Sequence, residues 1–161
     1  MMRILVTGAT GLIGTQLCSH LLSKGHFLNI LTKRTTWQTN YKQTRVFQWS
    51  PQNAQIDHRA LEGVNAIINL AGAKINQRWT TKNKRSILNS RIQSTRLLFD
   101  AVKQSKQKPH LINASAIGIY RSDFQRHYTE SDAVFSNDFD GEVVRQSVSY
   151  THLRAHETAS D

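Results

Sequence analysis

The stretch Thr7-Gly8-Ala9-Thr10-Gly11-Leu12-Ile13-Gly14 constrains this chain more than any other. It follows the aliphatic run Arg3-Ile-Leu-Val6 and precedes apolar residues at Ile13, Leu17 and Leu21, whose i, i+4 spacing is that of one helix face. The predicted order is strand, glycine turn, helix. In that order Gly8 permits a sharp turn, Gly11 lets a ligand come close to the backbone, and Gly14 lets the helix pack against the strand. The first helical turn also presents N–H groups with no intrahelical acceptor. A pyrophosphate is the ligand such a turn suits, with Thr7, Gly8, Thr10, Gly11, Leu12, Ile13 and Gly14 around it; a tight turn without a ligand is the plainer alternative.

The alternation continues down the chain. Gly25 is placed as a left-handed cap, Phe27 to Leu31 as the next strand, and Arg45 to Trp49 as a third, stopped at Ser50-Pro51 because proline cannot continue a central ladder. Asp57 caps a short helix ending at Gly63. Val64 to Leu70 is a largely apolar run of the kind buried on both sheet faces, ending at Ala71-Gly72. Thr80 or Thr81 caps a long helix to about Gln104, with Leu88, Ile92, Leu98 and Val102 on its apolar side and a basic opposite face. His110 to Ala114 is a fifth strand, residues 121–138 a polar surface loop, and residues 139–146 the start of another helix. Strands alternating with helices imply an α/β fold, a Rossmann-like doubly wound parallel sheet.

Of the 161 residues, 21 are Lys or Arg and 11 are Asp or Glu, a formal charge of +10 spread along the chain rather than gathered in a tail. A single cysteine excludes an internal disulfide and suits a reducing, cytoplasmic setting; no apolar run is long enough to span a membrane. Cys18 is expected as a packing residue, and the five histidines before residue 148 show no ligand spacing. The end of the chain breaks this pattern. Residues 148–158 resemble the one-frame translation of a transposase-type sequencing adapter, so 1–147 is expected to be the domain and 148–161 no domain at all. On that reading His152, His156 and Glu157, at zinc-like spacing, and Tyr150 with Arg154 are decoys, and the remaining residues carry +11.

Further motifs point to one family. Ile4 to Gly14, Leu31-Thr-Lys-Arg34, Trp49-Ser-Pro51, Ala60 to Gly72, Arg78-Trp79-Thr80, Lys84-Arg85, Ser90-Arg91 with Ser94-Thr95, and Ser115-Ala-Ile-Gly118 together resemble the YfcH-like branch of atypical extended short-chain dehydrogenase/reductases, NAD(P)-dependent epimerase/dehydratase-type proteins. The resemblance covers nearly all of residues 2–146. It implies a dinucleotide cofactor, a small-molecule substrate of unknown identity, no membrane association, and a chain that stops before the last strands of the sheet and a smaller substrate domain. Such a piece is expected to fold poorly alone, because an unpaired sheet edge and apolar faces are left uncovered.

Cofactor choice turns on the end of the second strand, where an NAD site usually carries an acidic side chain. Here Lys33 and Arg34 stand instead, which favours NADP(H) through a charge-assisted contact to the 2′-phosphate; a solvated basic strand end is the alternative. Asn69, Leu70, Ala71 and Gly72, at the carboxyl end of a strand, are placed beside the nucleotide. The resemblance puts Ser115 at the position of a serine that hydrogen-bonds substrate, and Tyr120 at that of a tyrosine more often structural than catalytic, with Arg121 where relatives have glycine. The superfamily's Tyr-x-x-x-Lys pair is absent from residues 1–147: Tyr41, Tyr120 and Tyr128 are followed by Arg45, Phe124 and Asp132. No metal is expected. The leading expectation is the NADP(H)-binding portion of an epimerase-family oxidoreductase. A non-catalytic NADP(H)-sensing protein is the second, and a basic nucleic-acid-binding domain, resting on Lys82, Lys84, Arg85, Lys103, Lys106 and Lys108, is a distant third.

Overall fold

Strand β1 (Arg3–Thr7) runs through the glycine turn into helix α1 (Leu12–Ser23), and the chain reverses at Gly25 into β2 (Phe27–Thr32). Strand β3 (Thr44–Ser50), a 3-10 turn (Pro51–Asn53) and the two-residue strand β4 (Gln55–Ile56) come next. A second 3-10 turn (His58–Leu61) leads to β5 (Ala66–Asn69), helix α2 (Thr81–Gln104), β6 (His110–Asn113), a last 3-10 turn (Ile117–Ile119) and helix α3, residues 139–147. This computed structural model describes residues 1–37, 39, 41–123, 125–132 and 136–147; the adapter-like segment expected at 148–161 lies outside them.

The strands form one sheet in the order β4-β3-β2-β1-β5-β6, and every pairing is parallel except that of β3 with β4. From β1 the chain adds β2 and β3 on one side, then crosses to the other side of β1 for β5 and β6. That reversal places the switch point of the sheet between β1 and β5, where folds of this Rossmann-like type open a crevice at the carboxyl ends of their strands. Strand β4 is absent from the sequence expectation. Two residues have no periodicity to read, and they pair only because the turn after Pro51 folds the chain back, setting Ile56 against Trp49 and Gln55 against Ser50.

Two compact units divide the described residues. The first comprises Met1–Gly72 with Gln93–Ala114 and contains the whole sheet. Its alternating strand residues feed two cores. Leu5, Leu31, Ile67 and Trp49 meet Leu97, Leu98 and Ala101 of α2 on one face, while Ile4, Val6, Leu28 and Ile30 meet Cys18 of α1 on the other. Helices on both faces make the sheet doubly wound. Burial pushes the Cys18 thiol above its ordinary pKa, which keeps it neutral.

The helical stripes depart from expectation by about one position. In α1 the buried residues are Gly14 and Cys18, and Ile13 is 68% exposed. In α2 Leu98 is buried as expected, but Leu88, Ile92 and Val102 are half-buried, and Ile87, Ser94, Thr95 and Leu97 take the inner places. Small or hydrogen-bonding residues let a helix lie closer to the sheet than bulky ones, so hydropathy alone locates the stripe slightly off its true axis.

The second unit contains residues 73–92 and the described part of 115–147. Thr80 caps α2, its hydroxyl accepting from the Asn83 N–H at 3.3 Å. Trp79 meets Phe139 edge to face with ring centroids 5.2 Å apart, donates its indole N–H to the Ile75 carbonyl, and lies with Phe139 under the Lys84 ammonium. Lys84 is therefore engaged by rings rather than standing on a free basic face. The half-buried Arg91 guanidinium donates to the Ala73 and Ile87 carbonyls, and burial lowers its pKa from the usual arginine value.

Candidate functional site

Gly8 has φ 70°, in the left-handed region, and a Cβ there would lie 2.7 Å from the Leu70 carbonyl oxygen. Both constraints admit only glycine. A Cβ on Gly14 would lie 2.2 Å from the Gly8 carbonyl oxygen and 2.8 Å from the Ala9 Cα, so the first turn of α1 seats directly on the bend. The Gly11 N–H donates to the Gly8 carbonyl at 3.0 Å, and Gly11 itself is the N-cap of α1. It brings no side chain to satisfy the first N–H groups of the helix, and the first turn has no acidic residue. Thr10, Gly11, Leu12 and Ile13 are exposed, Leu12 at 84%. Their side chains leave the helix start open, and the partial positive charge there suits a phosphate group. Ile13, expected from its spacing to be a helix packing residue, lies instead on the open rim because it sits one position off the buried Gly14–Cys18 stripe.

Beside the turn lies a polar row that the sequence does not announce. The last residues of three neighbouring strands are in register, Thr7 against Asn69 and Asn69 against Asn113. The Thr7 hydroxyl donates to the Asn69 side-chain oxygen at 2.6 Å and accepts from the N–H groups of Leu70 and Ala71 at 3.2 and 3.1 Å. The Asn69 amide donates to the Asn113 oxygen at 2.6 Å and to the Thr95 hydroxyl at 3.3 Å, and Thr95 donates in turn to Asn113. Thr7, Asn69 and Thr95 are all buried. A connected network of this kind is strong in a low-dielectric interior and costly to leave half made. It fixes the segment Asn69-Leu70-Ala71-Gly72 against the glycine turn, with only Gly72 of the four exposed. The Ser94-Thr95 pair marks this position in the sequence, though only as part of a motif.

At the end of β2 the backbone is held and the side chains are free to reach outward. The Arg34 N–H donates to the Thr32 hydroxyl at 3.1 Å, and the Arg34 carbonyl accepts from the Gln48 side chain at 3.2 Å. Lys33 and Arg34 are both exposed. No Asp or Glu occurs in residues 1–56, which carry six Lys and Arg, so nothing in this part of the first unit competes with an anionic ligand for Arg34.

Ser115 and Tyr120 belong to the second unit. Ser115 is exposed. Tyr120 is half-buried and stacks on Tyr128, ring centroids 5.1 Å apart and planes within 16°, while the Arg126 guanidinium lies 5.0 Å from the Tyr128 ring and pairs with Asp132 at 2.7 Å. Hydrogen bonds from the Thr129 backbone and from Arg126 hold the Asp132 carboxyl below its ordinary pKa. Gly118 has Asp140 close against it, and the Arg145 guanidinium donates to the Ser136 carbonyl. Among the described residues no cluster of three His, Cys, Asp or Glu side chains could hold a metal ion, and no helix is long and apolar enough to cross a membrane.

The model of the NAD dependent epimerase/dehydratase family matches residues 4–138. An epimerase family protein of Staphylococcus saprophyticus is 40% identical over 147 residues, which is 91% of this chain and 48% of that protein; one from Staphylococcus aureus is 35% identical over the same lengths. The chain thus spans about half the length of the curated relatives it matches. Among solved structures, human epimerase family protein SDR39U1 with NADPH is similar with a TM-score of 0.75 at 26% identity, covering 92% of this chain and 48% of that one. Uronate dehydrogenase from Agrobacterium tumefaciens has a TM-score of 0.78 at 17% identity, covering 98% of this chain and 57% of that one, a likeness of fold alone.

Proposed function

The chain belongs to the NAD dependent epimerase/dehydratase family, and from that premise we propose that residues 1–147 are the NADP(H)-binding domain of an oxidoreductase of its YfcH-like branch, with 148–161 outside that domain as adapter-derived sequence. The observation that carries this reading is the turn itself: a cradle that a Cβ at Gly8 or Gly14 would fill, opening onto uncapped N–H groups. Thr7, Gly8, Thr10, Gly11, Leu12, Ile13 and Gly14 would hold the pyrophosphate, Asn69 to Gly72 would border the nucleotide, and Arg34, assisted by Lys33, would bond the 2′-phosphate. When bound, the dinucleotide supplies hydride chemistry. The protein's part is to hold it rigidly, which the Thr7-Asn69-Thr95-Asn113 network does by fixing the strand ends. Support for NADP(H) over NAD(H) comes from Arg34 in a region without carboxylates, and from the NADPH in the human relative. A reducing, cytoplasmic setting goes with that reading.

Ser115 is the candidate for bonding a substrate oxygen; Tyr120 is the weaker one, its ring being committed to Tyr128. The missing Tyr-x-x-x-Lys pair favours one second reading, a protein that senses NADP(H) without turnover. Calorimetric titration with NADPH and NADH tests the cofactor proposal: NADPH is expected to bind at least about tenfold tighter. Equal affinity refutes the Arg34 assignment, and absence of both refutes the function. Oxidation of bound NADPH by carbonyl compounds in a full-length relative would remove the sensing reading.

A further inference from the structure

Parallel strands are normally joined by a helix that covers the sheet face between them, but the described part of 33–43, which links β2 to β3, contains none. Beside α1 this leaves a cleft of about 440 Å³, within the roughly 300–1,000 Å³ of small-molecule sites. Leu28 and Ile30 of β2, Cys18 and Leu22 of α1, and Trp37 and Tyr41 of the connection give it apolar and aromatic walls, while Ala9 and Thr10 of the glycine turn and the hydroxyl-bearing Thr15, Ser19 and Thr39 also line it. Among the described residues that line it, Arg34 is the one with a formal charge. The hydroxyl of Thr44, also a lining residue, is buried with no hydrogen-bond partner among the described residues. Such a group costs stability unless something else satisfies it. Thr44 is in register with Leu28, near the start of β2, whereas Arg34 follows the last residue of that strand, Thr32. At about 3.3 Å of rise per residue, the stretch from Leu28 to Thr32 alone is about 13 Å.

We propose that this cleft, which shares Thr10 and Arg34 with the proposed cofactor site, takes a ligand other than the dinucleotide: an elongated amphipathic monocarboxylate of the hydroxylated arylcarboxylate class. The carboxylate pairs with Arg34, the ring lies in the apolar lining with Trp37 and Tyr41, and the distal oxygen bonds the Thr44 hydroxyl. The sign of the ligand follows from residues 1–56, which hold no acidic side chain to pair with Arg34. The size follows from the cleft, and the distal polar group from Thr44. Arg34 is also the residue proposed to hold the 2′-phosphate, so the acid and NADPH exclude each other. That exclusion rests on the cofactor reading; the cleft does not.

Calorimetric titration of the 161-residue chain with 4-hydroxycinnamate, cinnamate and 4-hydroxycinnamyl alcohol tests the site, with thermal melts confirming that each preparation is folded. 4-Hydroxycinnamate is expected to bind one to one. The alcohol, which lacks the carboxylate, and the Arg34→Gln variant should each weaken binding about tenfold or more. Cinnamate should bind about threefold more weakly than its hydroxylated form, and Thr44→Val should abolish that difference. Neither substitution threatens the fold, since Arg34 is exposed and Thr44→Val removes an unpartnered hydroxyl. Absence of binding by the folded chain, or binding that Arg34→Gln leaves unchanged, overturns the site. NADPH binding without 4-hydroxycinnamate binding sinks the cleft alone; the reverse sinks the cofactor reading and leaves the cleft standing.

Discussion

The glycine turn after β1 and the polar row at the strand ends are neighbours with opposite designs. The turn gets its shape from side chains that are missing: Gly8 and Gly14 are positions where a single carbon would strike backbone. The row gets its shape from side chains that are present, each hydroxyl or amide of Thr7, Asn69, Thr95 and Asn113 partnered by another. Thr7 belongs to both, closing β1 and fixing the backbone that presses on Gly8. Rigid backbone and rigid side chains thus support one crevice by different means. They should fail differently.

The largest failure is expected at Gly14. Helix propensity alone makes Gly→Ala in a helix a gain of roughly 0.8–1 kcal/mol, but here the new Cβ meets the Gly8 carbonyl oxygen at 2.2 Å, backbone that cannot step aside. Gly14→Ala should lose about 3 kcal/mol of stability in chemical denaturation, together with NADPH binding; a stabilised variant would show that α1 does not seat on the turn. Asn69→Leu comes next, at about 2–3 kcal/mol, because the Thr7 and Asn113 groups lose a buried partner. Adding Asn113→Leu should recover part of that loss, whereas a fully additive double variant would mean the row is not a network.

Arg34→Gln separates recognition from architecture. NADPH affinity should fall about tenfold with NADH affinity unchanged, and the melting temperature should not move, since the side chain is exposed. The smallest effect is at Asp57, whose side chain accepts from the Arg59 N–H and guanidinium, the latter hydrogen bond being the main reason its carboxyl titrates below the ordinary value. A depressed folded-state pKa gives stability that is fully present above the unfolded carboxylate value of about 3.9 and is lost as pH falls through the folded one. Asp57→Asn keeps the cap and removes the charge. Its melting curve should lie slightly below the parent's at neutral pH and converge with it in acid; a constant gap would mean the carboxylate's charge is irrelevant.

The turn was legible in the sequence because glycine is a conformational statement that can be read one residue at a time. Strands β1, β2, β3, β5 and β6 were legible through apolar runs, and Thr80 and Asp57 through capping chemistry. The polar row was not, because Asn69 to Thr95 and Asn113 is a relation between residues far apart in sequence, and buried polar side chains look like surface ones until register is known. Register errors of one position displaced Ile13 for the same reason. The cleft goes with a β2–β3 connection whose described residues contain no helix, and local spacing gives no sign of the sheet face left uncovered there.

The two outer strands of the described sheet both leave backbone for a neighbour to use. Strand β4 pairs with only Trp49 and Ser50 of β3, so Thr44–Phe47 has no strand on its outer side among the described residues. At the other end β6 is the outermost described strand, with Ile112 at 55% exposure. Each edge is a row of backbone donors and acceptors already held in strand geometry, so the sheet works as a template that any added strand would extend without rearranging the crevice at its centre.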